Sequence, residues 1–118
     1  MKKYMAVFTG TAASRAKSGW DSMDDATRKA REAAGIAAWH KWHADHAGIL
    51  TDGGGPLGKT KRTGADGVSD IANNLAGYVI LHAESHDAAA RLFENHPHFT
   101  IFPGDGVEIM ECLPIPGQ

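Results

Sequence analysis

Three histidines at three-residue steps, His40, His43 and His46, are the side chains of this sequence best suited to chemistry. An imidazole can bind a metal ion or exchange a proton near neutral pH. On an α-helix each three-residue step turns the side chain by about 300°, so neighbours lie side by side, whereas His40 and His46 point too far apart to share one ion. The sequence has neither an HExxH motif nor paired CxxC motifs, so it predicts no metal site. The expected chemistry is proton transfer.

The helix that carries these histidines has a solvated face and an apolar stripe. Lys41 and Asp45 lie one turn apart and mark the solvated face. The stripe on the other side and its flanks hold Ile36, Trp39, His40, Trp42, His43 and Ala47. A histidine on such a stripe is most often a core residue, hydrogen-bonded to a carbonyl or an acid.

The functional interpretation of the same stripe is a pocket with an aromatic wall. His43 or His40 would act there as general acid or base on a small cyclic substrate. Trp39 and Trp42 would form the wall. Asp52, just past the helix, could orient the histidine, although an Asp-Gly pair is also a plain turn signal.

A glycine-rich segment, 52–58, follows the helix and precedes three cations, Lys59, Lys61 and Arg62. It lacks the spacing of a nucleotide-binding P-loop, and it leaves a helix rather than leading into one. The backbone amides of Gly53 to Gly55, together with these three cations, could hold a carboxylate or a phenolate. The alternative is a solvated hairpin whose charges block edge-to-edge association.

The elements that must position these residues follow from hydrophobic pattern and turn signals. Strands are predicted at residues 4–9, 49–51, 57–63, 77–83 and 107–113, and helices at 23–47 and 86–94. A turn at the surface is expected at 96–98. The order approaches βαββαβ, so we predict one α+β domain, residues 1–118, with a ferredoxin-like antiparallel sheet.

Two strands of this sheet are apolar on both faces. Tyr78, Ile80 and His82 alternate with Val79 and Leu81, and residues 4–8 behave likewise. Two helices can cover only one face, and each apolar face needs a covering layer. We therefore predict a homodimer packed sheet to sheet, with Tyr78 and His82 on the dimer side as further ligand-binding candidates.

Composition excludes several partners. The net charge is −2 and the isoelectric point about 6.4, so neither nucleic acid nor a membrane surface is an expected partner. No apolar stretch has the length of a membrane span or a signal sequence. A single cysteine, Cys112, points to a reducing compartment. A cytoplasmic protein without a cofactor is expected.

Four segments in the same order resemble the YCII-related (DGPF-type) family. They are residues 4–10, the helix and glycine segment of 39–57, the strand and alanine-rich helix of 77–97, and the strand at 107–109. The chain departs from the family at Asp66-Gly67-Val68-Ser69, where such proteins carry Asp-Gly-Pro-Phe. This chain therefore lacks any function that depends on that phenylalanine.

The resemblance implies a dimeric α+β barrel and a cleft with a His/Asp pair. Some relatives act on chlorinated aromatic diols, and others occur with sigma-factor systems. Both His40 and His43 lie near the place of the family's helix histidine, and we favour His43 because it is nearer the glycine segment. The leading interpretation is a small-molecule-binding dimer with lyase- or isomerase-like acid/base chemistry on a cyclic or anionic compound. The alternative is a non-catalytic ligand-sensing or interaction module accessory to regulation.

Overall fold

The computed structural model describes residues 1–117, and its centre is a four-stranded antiparallel sheet in the order β2-β5-β1-β6. The strands of this sheet are β1 (Lys2–Thr9), β2 (Leu50–Pro56), β5 (Leu75–Ala83) and β6 (Gly106–Glu111). The helices are α1 (Ala12–Ser18), α2 (Asp25–Asp45), α3 (His86–Arg91) and α4 (Pro97–Thr100). A hairpin of β3 (Thr60–Gly64) and β4 (Gly67–Ile71) is inserted between β2 and β5. This strand order confirms the predicted ferredoxin-like α+β fold.

The core lies between the sheet and the helices. The inward residues of β1, Tyr4, Ala6 and Phe8, pack with those of β5, which are Val79, Leu81 and Ala83. The antiparallel register sets Tyr4 opposite Leu81, which brings these alternating side chains to one face. Trp42 and Phe93 close the core from α2 and the turn after α3, with ring centroids 4.9 Å apart.

Helix α2 carries the histidine stripe, and its ends have clear causes. The Asp24 carboxylate caps the first turn by accepting from the Thr27 amide at 2.7 Å. The helix ends at Asp45 with His46 as its C-cap, shortly before Gly48. The segment between β1 and α2, where the sequence predicts no helix, contains α1, because Thr11 and Ser14 form a capping box and Gly19 ends the helix at φ +71°.

The β3–β4 hairpin forms a sheet of its own, separate from the central one. The Lys61 ammonium and the Asp70 carboxylate, on facing strands, form an ion pair at 2.6 Å. Most of the hairpin's residues are exposed, including Val68 at 69%. The predicted charged arm therefore exists, but it is hydrogen-bonded to itself rather than to the main sheet.

The second face of the sheet is apolar and partly exposed. Met5, Tyr78, Ile80 and His82 are half-buried and point away from the core cluster, and Met110 beside them on β6 is 44% exposed. No helix within residues 1–117 is both long and apolar enough to cross a membrane.

Residues 96–98 depart from the expected surface turn. His96 is 1% exposed, His98 is 7% exposed, and Pro97 between them is also buried. Pro97 begins the short helix α4, where its missing N–H costs nothing. The segment belongs to the interior beneath α2.

Candidate functional site

A cleft of about 610 Å³ lies between α2 and the glycine segment of β2. Its lining is mostly apolar and contains three histidines. The residues are Ile36, Trp39, His40, His43, Gly53, Gly54, Gly55, Pro56, His98 and Phe102. None of these carries a carboxylate, an ammonium or a guanidinium. The polar groups of these residues are therefore imidazoles, the indole N–H of Trp39 and backbone amides.

His43 connects the two walls of this cleft. Its Nε2 lies 2.9 Å from the carbonyl oxygen of Gly53, and its Nδ1 lies 3.2 Å from the carbonyl oxygen of Trp39. A neutral imidazole has one N–H and can donate to only one of these oxygens, whereas an imidazolium can donate to both. Neither ring nitrogen of His43 is free of a backbone partner.

The glycine segment is shaped by Gly54 and Asp52. Gly54 has φ +63°, and a Cβ there would overlap the carbonyl of Tyr78 on β5, so only glycine fits. The carboxylate of Asp52 accepts from the Gly54 amide at 2.8 Å and from the Tyr78 hydroxyl at 2.9 Å. The bond to Asp52, and then its charge, raise the pKa of Tyr78. Asp52 is thus bonded to Tyr78 and not to His43.

His98 is a cleft residue whose ring is held in one orientation. Its Nε2 donates to the carbonyl oxygen of Thr9 at 2.7 Å, and a Cβ on Gly104 would overlap its ring. Within residues 1–117 its Nδ1 makes no hydrogen bond, and this atom is not sealed from the surface. Burial lowers the pKa of His98, against the opposing effects of the Thr9 bond and the charge of Asp105. His98 is therefore a neutral ring with its proton on Nε2.

His96 is buried among the rings of Phe8, Trp39 and Trp42. Its Nδ1 accepts from the His98 amide at 3.0 Å, so its own proton is on Nε2. That Nε2 is sealed and has no hydrogen-bond partner among the described residues. The Trp39 ring stands edge-on to it, 4.7 Å away at 87°. Burial first, and then the charges of nearby histidines, lower the pKa of His96 to about 3.

One solved structure with a similar fold is TftG, the 5-chloro-2-hydroxyhydroquinone dehydrochlorinase of Burkholderia phenoliruptrix AC1100, in complex with 2,5-dihydroxybenzoquinone. The two chains are 17% identical, with 92% of this chain and 90% of TftG covered and a TM-score of 0.50. This chain shares its fold. No protein-family model matches the sequence, and no curated protein matches it either.

The predicted site residues fall into three places. His40, His43 and Trp39 line the cleft. Trp42 is buried in the core, where its Nε1 donates to the Leu92 carbonyl at 3.1 Å. The others lie outside the cleft lining: Asp52 and Tyr78 bond each other, the His82 Nδ1 lies 2.6 Å from the Thr51 hydroxyl, and Lys59 is at the exposed base of the hairpin.

Two cleft residues, His98 and Phe102, are absent from the sequence-based site. Phe102 reaches the cleft because Gly35, buried in the middle of α2, leaves room for its ring, and a Cβ at Gly35 would overlap it. A glycine in a helix interior was the available signal, since it often marks close packing. Among residues 1–117 no cluster of three or more His, Cys, Asp or Glu side chains is placed to hold a metal ion.

Proposed function

We propose that this protein belongs to the YCII-related superfamily and binds a small flat ring compound in the α2–β2 cleft. We further propose that it carries out lyase- or isomerase-like acid/base chemistry on that compound. The observation that carries the proposal is an apolar cleft of about 610 Å³ whose charge-free lining includes imidazoles. Clefts of this size and character are the usual sites of small-molecule binding.

The shape of the cleft favours a ring. Trp39 and Phe102 supply two aromatic sides, with ring centroids 6.2 Å apart at 64°, and Ile36 and Pro56 add aliphatic surface. Aromatic side chains favour a flat partner because offset and edge-on ring contacts add to the burial of apolar area. TftG, with the same fold, holds 2,5-dihydroxybenzoquinone, which is such a ring.

His43 and His40 are the proposed acid/base residues, and Asp52 is proposed to support the glycine segment opposite them. His43 lies between the two walls of the cleft, and one of its ring nitrogens must leave its backbone carbonyl, that of Gly53 or Trp39, before it can exchange a proton with a ligand. His40 is exposed beside it and makes no hydrogen bond within residues 1–117. We propose ligand-binding roles for Trp39 in the cleft and for Tyr78, His82 and Lys59 outside it.

The second candidate function is a non-catalytic ligand-sensing module. It is favoured by one observation, that both ring nitrogens of His43 are occupied by backbone carbonyls. A residue held in this way fixes the spacing of the two walls of the cleft. Ligand occupancy would then alter that spacing without any transfer of a proton.

We also propose that a second copy of the chain covers the open face of the sheet. Met5, Tyr78 and Ile80 are half-buried there, and Met110 is 44% exposed. A contiguous apolar face of this kind is unusual on a monomer. The net charge of −2 supports a small molecule rather than nucleic acid as the other partner, and the free Cys112 supports a cytoplasmic location.

Calorimetric titration with 2,5-dihydroxybenzoquinone tests the cleft, using His43→Ala and a matched control, His46→Ala. His46 is on the same helix and bonds the carbonyl one turn back, Trp42, as His43 bonds Trp39, but it is outside the cleft. We expect His43→Ala to weaken binding by at least about tenfold, the effect of losing one good polar contact, and His46→Ala to leave it unchanged.

Two further results separate the candidate functions. A protein-dependent change of the probe's absorbance spectrum with time, lost in His43→Ala, would identify chemistry. Saturable binding with a constant spectrum would favour the sensing module. Equal loss of affinity in both variants, in parallel with equal losses of melting temperature, would refute the cleft as the site.

A further inference from the structure

The imidazole of His98 lines the cleft and has one nitrogen without a hydrogen bond among residues 1–117. Its Nε2 donates to the Thr9 carbonyl, so the neutral ring has its lone pair on Nδ1. That atom makes no hydrogen bond within residues 1–117 and is not sealed from the surface. His98 as a whole is 7% exposed and lines the cleft. His43 differs, because both of its nitrogens face backbone carbonyls.

Three contacts keep the lone pair of His98 where it is. The Thr9 carbonyl is itself fixed, since it also accepts from the Asp105 amide at 2.9 Å. Gly104 packs against the ring so closely that a Cβ there would overlap it. From behind, His96 accepts from the His98 amide at 3.0 Å and holds the start of α4. The ring can therefore neither flip nor exchange tautomers without breaking one of these contacts.

We propose that Nδ1 of His98 is the atom that receives the hydroxyl proton of a ring ligand bound in the cleft, and that His96 is its positioning residue. The inference rests on the proposed function and adds the group that meets the ligand's O–H. On transfer, the Nδ1 lone pair forms the new N–H bond and the O–H bonding pair stays on the ligand oxygen. The product is an oxyanion beside an imidazolium that keeps its Nε2–H on Thr9.

The surroundings suit this exchange. Burial lowers the pKa of His98, so the free ring is neutral and able to accept. The Asp105 charge and the Thr9 carbonyl favour the cation once it forms. Trp39 and Phe102 line the cleft with His98, and a hydrogen bond between ligand oxygen and nitrogen is stronger beside such apolar surfaces than in water. The ligand class implied is a phenol or an enol, with a donor hydroxyl on an otherwise apolar ring.

The test compares two probes that differ by one methyl group, 4-nitrophenol and its methyl ether 4-nitroanisole. The variant is His98→Phe, which keeps the ring and removes both nitrogens. The Thr9 carbonyl keeps the Asp105 amide as a donor in this variant. We expect the wild type to bind the phenol about tenfold more tightly than the ether, the effect of one good hydrogen bond. We expect His98→Phe to erase that preference by weakening the phenol alone.

A second measurement reads the nitrogen directly. In nitrogen-15 spectra of the imidazoles, 4-nitrophenol should move the Nδ1 resonance of His98 toward its protonated position, and the ether should not. The inference is overturned if His98→Phe leaves the preference intact, or if His43→Ala alone removes it. If the wild type binds neither probe, the proposed cleft function fails as well, whereas equal binding of both probes overturns only the role of His98.

Discussion

Acid should destabilise this protein through His96, well before its carboxylates are protonated. The ordinary pKa of a histidine is 6.5, and burial lowers that of His96 to about 3 in the folded chain. The unfolded chain therefore takes up a proton below pH 6.5 that the folded chain refuses until about pH 3. The free energy of unfolding is thus unaffected by His96 above pH 6.5 and falls as the pH drops toward 3.

The size of the effect follows from the gap between the two values. One pH unit within that interval corresponds to about 1.4 kcal/mol of unfolding free energy per proton. Between pH 7 and pH 5 the loss is about 2 kcal/mol, because the unfolded histidine begins to be protonated only near its own pKa. Burial shifts the pKa of His98 in the same direction, so its contribution has the same sign.

Urea unfolding followed by tryptophan fluorescence measures this loss, at one protein concentration and at pH 7, 6 and 5. The variant is His96→Phe, which keeps a ring among Phe8, Trp39 and Trp42 and removes the titrating group. Between pH 7 and pH 5 the free energy of unfolding of His96→Phe should fall by about 2 kcal/mol less than that of the wild type. The control is His40→Phe, at an exposed position, which should keep the wild-type dependence. Identical pH dependence in the wild type and His96→Phe would refute the reasoning.

Two further predictions concern the core and the assembly. Phe93→Ala should lower the free energy of unfolding by about 3–5 kcal/mol, since Phe93 is 3% exposed and packs against Trp42. A loss below about 1 kcal/mol in urea would place it outside the core. Ile80→Lys should convert the proposed dimer into a monomer or an insoluble chain, because it puts a charge on the face of the sheet that we expect to be covered. Sedimentation of the wild type as a monomer at micromolar concentration would contradict the dimer.

The main elements could be predicted from sequence because their signals are local. Strands β1 and β5 show alternating apolar residues, and the capping acid before α2 and the serine before α3 mark the starts of those helices. Helix α1 was not predicted because its residues are mostly small and polar and its start depends on the reciprocal hydrogen bonds of Thr11 and Ser14. Because α1 has no buried residue, it shows no pattern of apolar side chains from which a helix could be predicted.

The candidate site was less predictable because it depends on contacts between distant residues. Helix phase correctly separated His43 from Lys41, and the glycine segment does face it. Helix phase could not predict the hydrogen-bond partner of Asp52, which lies on a strand. The register of β2 against β5 is irregular on both sides of Asp52, and its carboxylate meets Tyr78 and the Gly54 amide.

Residues 96–98 are the clearest case of a long-range cause. Two histidines around a proline have the composition of a solvated turn, and nothing within a few residues opposes that interpretation. Their burial comes from Thr9, 89 residues earlier in the chain, whose carbonyl accepts from His98, and from Trp39 on α2, whose ring encloses His96. Only the folded arrangement buries these two histidines, which the local sequence predicts at the surface.

The shape of the cleft depends on the absence of a side chain at Gly35, because the ring of Phe102, which lines the cleft, occupies that space. A glycine inside α2 costs the helix about 1 kcal/mol relative to alanine. The missing side chain leaves space for the ring of Phe102, which lines the cleft. A single methyl group at this position would force Phe102 out of its place against the helix. Chains that share this fold and every cleft histidine, but carry alanine here, would therefore hold ligands of a different size.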